Sequence, residues 1–335
     1  MYGRDGLSME TRPTSPRVVA LLPAWRAERF IESTLEALAA QTYGNLHILI
    51  SDDASPDSTA ELCDAFARRT PGTRVIRQTR NLGWVGNSNA LLQAAQGDYF
   101  FFALHDDLPH PRFVECMVKA LEANPEATVA YSDLKQVFTH RASKVSQFTE
   151  LDGVTDTYER ARKLVQRQGR WWIAFRCLFR ADTARQLGGM RTHPAGDFCC
   201  DFMWLLGLAL RGEFVRVPEV LMTKRHQEDG VSANWQYRIR DRTGLLLGSL
   251  GELRRAPLPV SRRWKLQALA VTSATFRALR KNWLMGLALL LLSCAVYGQE
   301  PTVVYAVVTM DFERAREDVP DVRQRLPALG PRSSA

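Results

Sequence analysis

Two acidic clusters, each following an apolar run, constrain the fold of this chain more than any other feature. Asp52 and Asp53 follow the apolar residues 47–50, and Asp106 and Asp107 follow the apolar residues 99–104. Ligands of open α/β sheets bind at the carboxyl ends of the strands. Carboxylates gathered there can hold a divalent cation together with substrate phosphates. The two clusters therefore predict a metal-dependent nucleotide site at one edge of a sheet.

The surrounding pattern predicts the sheet itself. Residues 17–22 form an apolar run without alternation, as expected of a parallel strand covered on both faces. Ile31, Leu35 and Leu38 then recur at helical spacing. Further apolar runs and helical patterns alternate as far as residue 131, which indicates βαβ units. The fold class is α/β, with a Rossmann-like, mostly parallel sheet flanked by helices.

Four short motifs, in the order in which they follow one another along the chain, match the pattern of a known family. The chain resembles the inverting glycosyltransferases of family 2, which have the GT-A fold, over roughly residues 16–230. The matching motifs are Leu22-Pro23-Ala24-Trp25, Asp52-Asp53-Ala54-Ser55-Pro56-Asp57-Ser58-Thr59, Asn81-Leu82-Gly83, and Leu104-His105-Asp106-Asp107 with Pro111 beyond. The resemblance implies transfer of a sugar from a nucleotide-sugar donor.

The resemblance assigns donor binding to the first three motifs. Asp53 would contact the nucleobase or ribose with Asp52 beside it, and Pro23 and Asn81 would border the same site. A structural interpretation competes at the end of the acidic motif. Ser58 and Glu61 have the spacing of a capping box, which would open a helix through Leu62 and Phe66.

The resemblance also implies a divalent metal, Mn²⁺ or Mg²⁺, that neutralises the departing diphosphate. Asp106 takes the place of the family's metal-binding aspartate, with His105 and His226 as further metal or phosphate contacts. The chain departs from the family pattern at Leu104, which replaces the first aspartate of the motif. Helix capping is the structural alternative for Asp106, and an exposed loop position is the alternative for both histidines.

Asp201 takes the place of the family's general base, which removes the proton of the acceptor hydroxyl. Cys200 stands where the family has a glutamate. Asp201 could instead be the N-cap of the apolar helix 202–210, and Asp197 is the alternative base.

Three tryptophans near this position suggest a stacking floor for a sugar. They are Trp171, Trp172 and Trp235. Aromatic side chains also fill cores and interfaces, so a structural role is the competing interpretation.

The C-terminal third carries nearly all of the net charge of +8. Residues 238–282 hold eleven Lys and Arg and two acidic residues, and residues 283–297 are uncharged and apolar. Fifteen apolar residues are short of the roughly 20 of a spanning helix. They suit an interfacial helix at an anionic membrane surface, and a buried core helix is the alternative. No nucleic-acid-binding motif accompanies the arginines.

These observations predict five regions. They are a disordered tail at 1–15, a nucleotide-sugar half at 16–133, an acceptor half at 134–235, a basic helical extension at 236–310 and a flexible tail at 311–335. Residues 1–15 lack the apolar core of a secretion signal, and six irregularly spaced cysteines favour reduced thiols. We expect a cytoplasmic protein that is peripheral to the membrane.

The predicted function is metal-assisted transfer of a sugar to a hydroxyl of a glycan, lipid-linked or small-molecule acceptor. The family pattern has acids where this chain has Leu104 and Cys200. A catalytically inactive scaffold is therefore the alternative. A nucleotidyltransferase is a weaker alternative, because the turn after residue 22 offers Arg26 and no further basic residue for a phosphate loop.

Overall fold

The computed structural model describes residues 15–167, 169–226 and 238–279. Strands and helices alternate along the first part of this stretch, and helices predominate at its end. The strands are β1 (Val18–Ala24), β2 (Leu46–Asp52), β3 (Thr73–Arg77), β4 (Tyr99–Phe102), β5 (Asp107–Pro109), β6 (Ala127–Val137), β7 (Lys144–Ser146), β8 (Cys177–Arg180) and β9 (Glu213–Arg225). The helices are α1 (Ile31–Ala39), α2 (Thr59–Arg69), α3 (Gly83–Ala94), α4 (Phe113–Ala123), α5 (Thr157–Val165), α6 (Ala181–Leu187), α7 (Cys200–Ala209), α8 (Ile239–Arg254) and α9 (Val260–Leu279), with a 3₁₀ turn at Trp171–Phe175.

The strands form one mixed sheet in the order β3-β2-β1-β4-β8-β6-β9-β5, with β7 added to β6. The predicted α/β class is confirmed, and strands β3, β2, β1 and β4 are parallel as expected. Beyond β4 the sheet is mixed. Strand β8 pairs antiparallel with both β4 and β6, and β5 pairs antiparallel with β9, whereas β6 and β9 are parallel. The sequence pattern did not reveal these reversals.

The sheet order brings the two acidic clusters to one edge. Strand β1 lies between β2 and β4, and its last residue, Ala24, is opposite Asp52. The amide of Asp53 continues the pairing by donating to the carbonyl of Ala24 at 2.9 Å. Both clusters therefore follow the carboxyl ends of strands that flank β1.

An aromatic cluster packs α7 and the 3₁₀ turn against the centre of the sheet. Phe102 stacks on Phe175 with ring centroids 5.7 Å apart, and Trp204 meets Phe102 and Phe179 edge-on at 6.3 and 5.6 Å. Buried aromatic side chains contribute much of the apolar area in such a core. The cluster fixes the first turn of α7, where Asp201 lies, above the ends of β4 and β8.

The side chain of Asn89 ties α3 to the segment after α6. Its amide nitrogen donates to the carbonyl of Met190 at 2.9 Å, and its amide oxygen accepts from the Met190 amide at 2.8 Å. Gly189 precedes this contact with φ +94°, and a Cβ there would lie 2.6 Å from the Asn89 oxygen. Glycine is therefore required on both conformational and steric grounds.

The predicted capping box at the start of α2 does not form. Ser58 is the N-cap residue, but its side chain makes no capping hydrogen bond. Asp57 Oδ1 instead accepts from the Thr59 amide at 3.2 Å and from its hydroxyl at 2.6 Å. Glu61 reaches outward to Arg77 at 3.4 Å, so it is not available to the Ser58 backbone.

The chain divides into two compact units, residues 1–267 and 268–335. All of the described site residues belong to the first unit. Among the helices in the described ranges, none combines the length and apolarity needed to span a membrane. Trp235, the apolar segment 283–297 and almost all of the two predicted tails lie outside the described residues, and the predicted division at residue 133 stays a prediction.

Arg160 is buried on α5 without a carboxylate partner in its hydrogen bonds. Its guanidinium donates to the carbonyls of Ala209, Val154 and Thr155 at 3.0, 3.0 and 2.6 Å. Burial lowers the pKa of Arg160 from its ordinary value. The side chain thereby connects the end of α7 to the turn that precedes α5.

We expect Arg160→Leu to lower the free energy of unfolding by about 3 kcal/mol, because several buried carbonyls lose their donor. Urea unfolding measures this change. The control is Arg68→Leu at an exposed position of α2, which should stay within about 0.5 kcal/mol of wild type. Equal stability of the two variants would contradict the assigned role of Arg160.

Candidate active site

The first acidic cluster is buried at the end of β2. Asp52 and Asp53 are only 3% and 2% exposed. Asp53 Oδ1 accepts from the Leu82 amide at 2.7 Å, and Asp52 Oδ2 accepts from the Ser55 amide at 3.2 Å. Burial raises the pKa of Asp53, while the amides that it accepts from oppose the shift. Asp52 Oδ1 is buried without a hydrogen-bond partner among the described residues.

Asn81 shapes the turn that leads into α3. Its side-chain oxygen accepts from the Gly83 amide at 2.9 Å, and Gly83 has φ +75°. The turn also supplies the Leu82 amide to Asp53. Pro23, on β1, is opposite Ser51 in register, so it lies beside the same cluster. The four predicted donor-site residues Pro23, Asp52, Asp53 and Asn81 thus belong to neighbouring elements at one sheet edge.

The second acidic cluster lies in a tight turn between β4 and β5. Thr34 donates its hydroxyl hydrogen to the carbonyls of His105 at 2.9 Å and Asp107 at 3.2 Å. Arg225 Nε donates to the carbonyl of Asp106 at 3.0 Å. These contacts hold the backbone of the turn, and the side chains of His105 and Asp106 are partly exposed. No helix begins at Asp106, so its predicted alternative as an N-cap is wrong.

Asp107 points inward and forms a buried ion pair with Arg176. The Arg176 Nε donates to Asp107 Oδ2, and the two side chains are 7% and 3% exposed. Burial raises the pKa of Asp107, against the opposing effect of Arg176. Asp107 Oδ1 is buried without a partner in the described residues. Asp106 and Asp107 therefore have different environments despite being adjacent in sequence.

Lys224 lies across from this ion pair. It is opposite Asp107 in the antiparallel register of β5 and β9. Burial is the main cause that lowers the pKa of Lys224, and Arg176 lowers it further. The carboxylates of Asp107, Asp106 and Asp201 act in the opposite direction. Two cations and three carboxylates therefore interact within this part of the site.

His226 follows the end of β9 and is held on two sides. Its Nε2 is 2.9 Å from Gln136 Oε1, and its ring stacks on Phe138 with centroids 4.3 Å apart. Burial and the nearby cations, led by Lys224, lower the pKa of His226 to about 4, and Asp106 opposes them. The imidazole is therefore neutral at pH 7. Because the Gln136 oxygen accepts the Nε2 proton, Nδ1 keeps its lone pair.

Asp201 lies in the first turn of α7. The helix begins at Cys200 and its N-cap is Cys199, with φ +52°, so the predicted alternative of Asp201 as the N-cap is wrong. Asp201 Oδ1 accepts from the Phe202 amide at 3.0 Å. Burial raises the pKa of Asp201, and the Phe202 amide, Arg176 and Arg167 oppose the shift. Arg176 thus acts on both Asp107 and Asp201.

Two of the three tryptophans predicted to stack on a sugar, Trp171 and Trp172, lie in the described residues. They flank this region without forming an open floor. Trp171 meets Phe202 edge-on with ring centroids 5.0 Å apart, and Arg176 lies 5.9 Å from the Trp172 ring. Both indoles are partly exposed. The stacking role stays a prediction, since the structure gives both rings packing partners as well.

A cleft of about 520 Å³ opens beside the turn that leads into α3. One wall comes from the start of α3, including Leu82 and Gly83, and the other from the segment 190–197, including Arg191 and Asp197. Its volume is in the range of small-molecule sites. Because Asp53 holds the Leu82 amide, the cleft adjoins the predicted nucleotide site.

The described residues contain no group of three His, Cys, Asp or Glu side chains arranged to hold a metal ion alone. Mg²⁺ is commonly held by one or two carboxylates with substrate phosphates, so a larger group is not required. Asp106 is partly exposed, and Asp107 Oδ1 is an unpaired buried acceptor next to it. Because Asp107 is paired with Arg176, Asp106 is the carboxylate of this cluster that would share a cation with substrate phosphates.

Arg176 and Lys224 were not predicted as site residues from the sequence. Arg176 stands inside the apolar run 173–179, and a charge in a predicted core segment is the signal that could have identified it.

Asp201→Asn should stabilise the protein at neutral pH. A carboxyl group whose pKa is raised in the folded state binds more protons there than in the unfolded chain, so stability falls as pH rises from about 3.9 through the folded pKa. The Asn side chain keeps an oxygen that accepts from the Phe202 amide. Its contribution to stability does not depend on pH, because the amide does not titrate. Urea unfolding at pH 4 and pH 7.5 should show a gain only at the higher pH.

The control for this measurement is Asp182→Asn, which changes a carboxylate that is 86% exposed on α6. It should shift stability little at either pH. A variant Asp201→Asn that is less stable than wild type at pH 7.5 would contradict the assigned burial of the Asp201 carboxylate.

The chain is similar in sequence and in fold to known proteins. Residues 20–181 match the family described as Glycosyl transferase family 2. A protein of Haemophilus influenzae named "Uncharacterized glycosyltransferase" is 30% identical over 120 residues, which are 36% of this chain and 37% of that relative. The first curated relatives are matched over 37% to 60% of their own length.

Two solved structures share the fold. TarS residues 1–349 from S. aureus, in complex with UDP-GlcNAc, align with a TM-score of 0.63 at 15% identity over 79% of this chain and 74% of that one. The mannosyltransferase PcManGT from Pyrobaculum calidifontis, in complex with GDP-Man and Mn²⁺, aligns with a TM-score of 0.53 at 19% identity, covering 93% of this chain and 84% of that one. The fold is that of the GT-A glycosyltransferases, and residues 20–181 are similar in sequence to glycosyl transferase family 2.

Proposed function

We propose that this chain is an inverting glycosyltransferase that transfers a sugar from a nucleoside diphosphate donor to a hydroxyl group. The observation that carries the proposal is the convergence of both acidic clusters of the family domain with Asp201. Arg176 links the second cluster to Asp201, since it pairs with Asp107 and acts electrostatically on Asp201. The acceptor would be a glycan, a lipid-linked sugar or a small molecule, in polysaccharide or cell-envelope synthesis.

The donor's nucleoside would bind at the end of β2. Asp53 would contact the base or ribose, with Asp52, Pro23 and Asn81 around it. The unpaired Asp52 Oδ1 supports a polar ligand here, because a buried acceptor without a donor is costly. The sugar nucleotides in the titles of the TarS and PcManGT structures support a donor of this class.

A divalent cation would neutralise the diphosphate as it leaves. Asp106 would hold it, because its carboxylate is partly exposed in a turn whose backbone Thr34 and Arg225 fix. His105 is adjacent and His226 presents a neutral imidazole, so we keep both as further contacts to metal or phosphate. The Mn²⁺ named with PcManGT supports the same assignment.

Asp201 would act as the general base, and Asp197 is the alternative. The Phe202 amide orients Asp201 through Oδ1, so Oδ2 would accept the proton of the acceptor hydroxyl. Burial raises the pKa of Asp201, which makes the carboxylate a better proton acceptor near neutral pH. Attack from the base's side of the sugar displaces the nucleoside diphosphate with inversion.

We also propose peripheral attachment to the cytoplasmic face of a membrane. The start of α9 supports this, because Trp264 and Val260 are 55% and 57% exposed among Arg262, Arg263 and Lys265. Basic side chains near an anionic surface contribute about 1 kcal/mol each.

A catalytically inactive binding protein is the second candidate. It is favoured by Leu104 and Cys200, which stand where the family pattern has acids. Such a protein would bind nucleotide sugars without turning them over.

Asp106→Ala should abolish metal-dependent donor turnover, because the one partly exposed carboxylate of the second cluster is lost. The measurement is hydrolysis of a panel of nucleotide sugars during Mn²⁺ titration. Asp182→Ala is the control, and it should titrate like wild type. Unchanged metal dependence in Asp106→Ala would overturn its assignment, and no turnover by wild type with any donor would favour the binding protein.

A further inference from the structure

The hairpin that joins β6 to β7 is basic. Residues 134–149 include Lys135, His140, Arg141 and Lys144 and contain no Asp or Glu. All four of these side chains are exposed. Within the described ranges, Lys135, Arg141 and Lys144 form no ion pair with a carboxylate. The hairpin therefore presents three cations without a counter-charge in the part of the chain that the structure describes.

Arg141 is held over an aromatic ring of the same hairpin. Its guanidinium carbon lies 3.5 Å from the centroid of the Phe138 ring, and Lys144 Nζ lies 5.8 Å from the same centroid. The Phe138 ring also stacks on His226. A cation–π contact positions a guanidinium without using its N–H donors, which remain able to bind an anion such as phosphate.

Strand β9 connects the hairpin to the second acidic cluster. The amide of His226, just after β9, donates to the carbonyl at the end of β6 at 2.9 Å. Lys224 of β9 is opposite Asp107 in register. Arg141 and Asp106 also act, in opposite directions, on the pKa of the His226 imidazole. The cation on the Phe138 ring and the carboxylate that we assign to the metal therefore lie within electrostatic reach of one side chain.

The hairpin lies on the same edge of the sheet as both acidic clusters, on the side away from the proposed nucleoside site. Strands β4 and β6 run in the same direction, because both are antiparallel to β8. In the sheet, β6 is separated from β2 by β8, β4 and β1. If the nucleoside binds at the end of β2, a molecule held by the hairpin approaches the turn of Asp106 from the other side.

We propose that this hairpin binds a phosphate group of the acceptor, with Arg141 as the specificity-determining residue. The proposal deepens the proposed function and rests on it, because it takes the end of β2 as the place of the donor's nucleoside. The acceptor would be a phosphorylated sugar or a lipid phosphate, which offer the hairpin the same chemical group. Arginine and phosphate form charge-assisted, often bidentate hydrogen bonds.

An anionic membrane surface is the competing partner for such a hairpin, since Val145 beside Lys144 is 55% exposed. The contacts of Phe138 favour a ligand at the site instead. The ring that carries Arg141 also stacks on His226, so the guanidinium is held close to the site.

The test measures the binding of glucose 6-phosphate, of farnesyl phosphate and of glucose to the full chain. Calorimetry is carried out with Mn²⁺ and saturating UDP or GDP, so that a nucleoside diphosphate already occupies the donor site. Wild type should bind at least one of the two phosphates more tightly than glucose. Arg141→Gln should weaken that phosphate at least about fivefold, as expected when one charge-assisted contact is lost, and leave glucose unchanged. The two phosphates distinguish a soluble acceptor from a lipid-linked one.

Arg68→Gln is the matched control, because it removes the same charge from an exposed position of α2, which packs against β3 at the far end of the sheet. It should leave all the dissociation constants unchanged. Arg141→Lys keeps the charge and should retain part of the affinity for phosphate that Arg141→Gln loses. The affinity of Arg141→Gln for UDP and GDP should equal that of wild type.

Wild-type affinity for both phosphates in Arg141→Gln, or an equal loss in Arg68→Gln, would overturn the proposal. An equal loss of UDP or GDP affinity in Arg141→Gln would also overturn it and assign the hairpin to the donor's diphosphate. Weaker co-sedimentation of Arg141→Gln with phosphatidylglycerol vesicles, with unchanged binding of both phosphates, would assign the hairpin to the membrane. If wild type binds a nucleoside diphosphate but neither phosphate, only this inference fails. If it binds neither UDP nor GDP, the proposed function itself is contradicted.

Discussion

The buried ion pair between Asp107 and Arg176 is the interaction on which the arrangement of the site depends. It joins the turn after β4 to the start of β8, and Lys224 of β9 lies across from it. Removing one partner of a buried pair typically costs about 3–5 kcal/mol, because the other charge is left uncompensated. Three segments that are distant in sequence are thereby held in one place.

This pair also gives two adjacent aspartates separate roles. Asp107 is committed to Arg176, so Asp106 is left as the partly exposed carboxylate of the turn. Arg176 further offsets the burial that raises the pKa of Asp201. The same guanidinium therefore pairs with the neighbour of Asp106, the acid that we assign to the metal, and acts on Asp201, the acid that we assign to the proton.

Residues that are far apart in the sequence also hold the cleft together. Asn89 joins α3 to Met190, and Glu252 compensates Arg191 from α8. The start of α3, within the residues that match the family, forms one wall, and the segment 190–197 beyond them forms the other.

Much of this arrangement could be predicted from the sequence, because it follows from local pattern. The apolar runs before Asp52 and Asp106 located the strand ends, and the parallel order of β1, β2 and β4 then brought the two clusters to one edge. The antiparallel β8 and the partner of Asp107 depend on contacts between distant segments, which period and spacing do not encode. The helix start at Cys200 was missed because Cys199 adopts a left-handed conformation that is rare outside glycine.

We propose that Asp201 takes the proton from a nucleophile that displaces the nucleoside diphosphate directly. The most direct measurement is ¹H NMR of the sugar first released by water from an α-linked nucleotide sugar, with wild type and Asp201→Asn. Direct displacement predicts the β anomer, because a base-activated nucleophile attacks the face opposite the leaving group. Loss of the base predicts release about 10²–10⁴ times slower in the variant. A first-formed α anomer, or a wild-type rate in Asp201→Asn, would contradict the proposed role of Asp201.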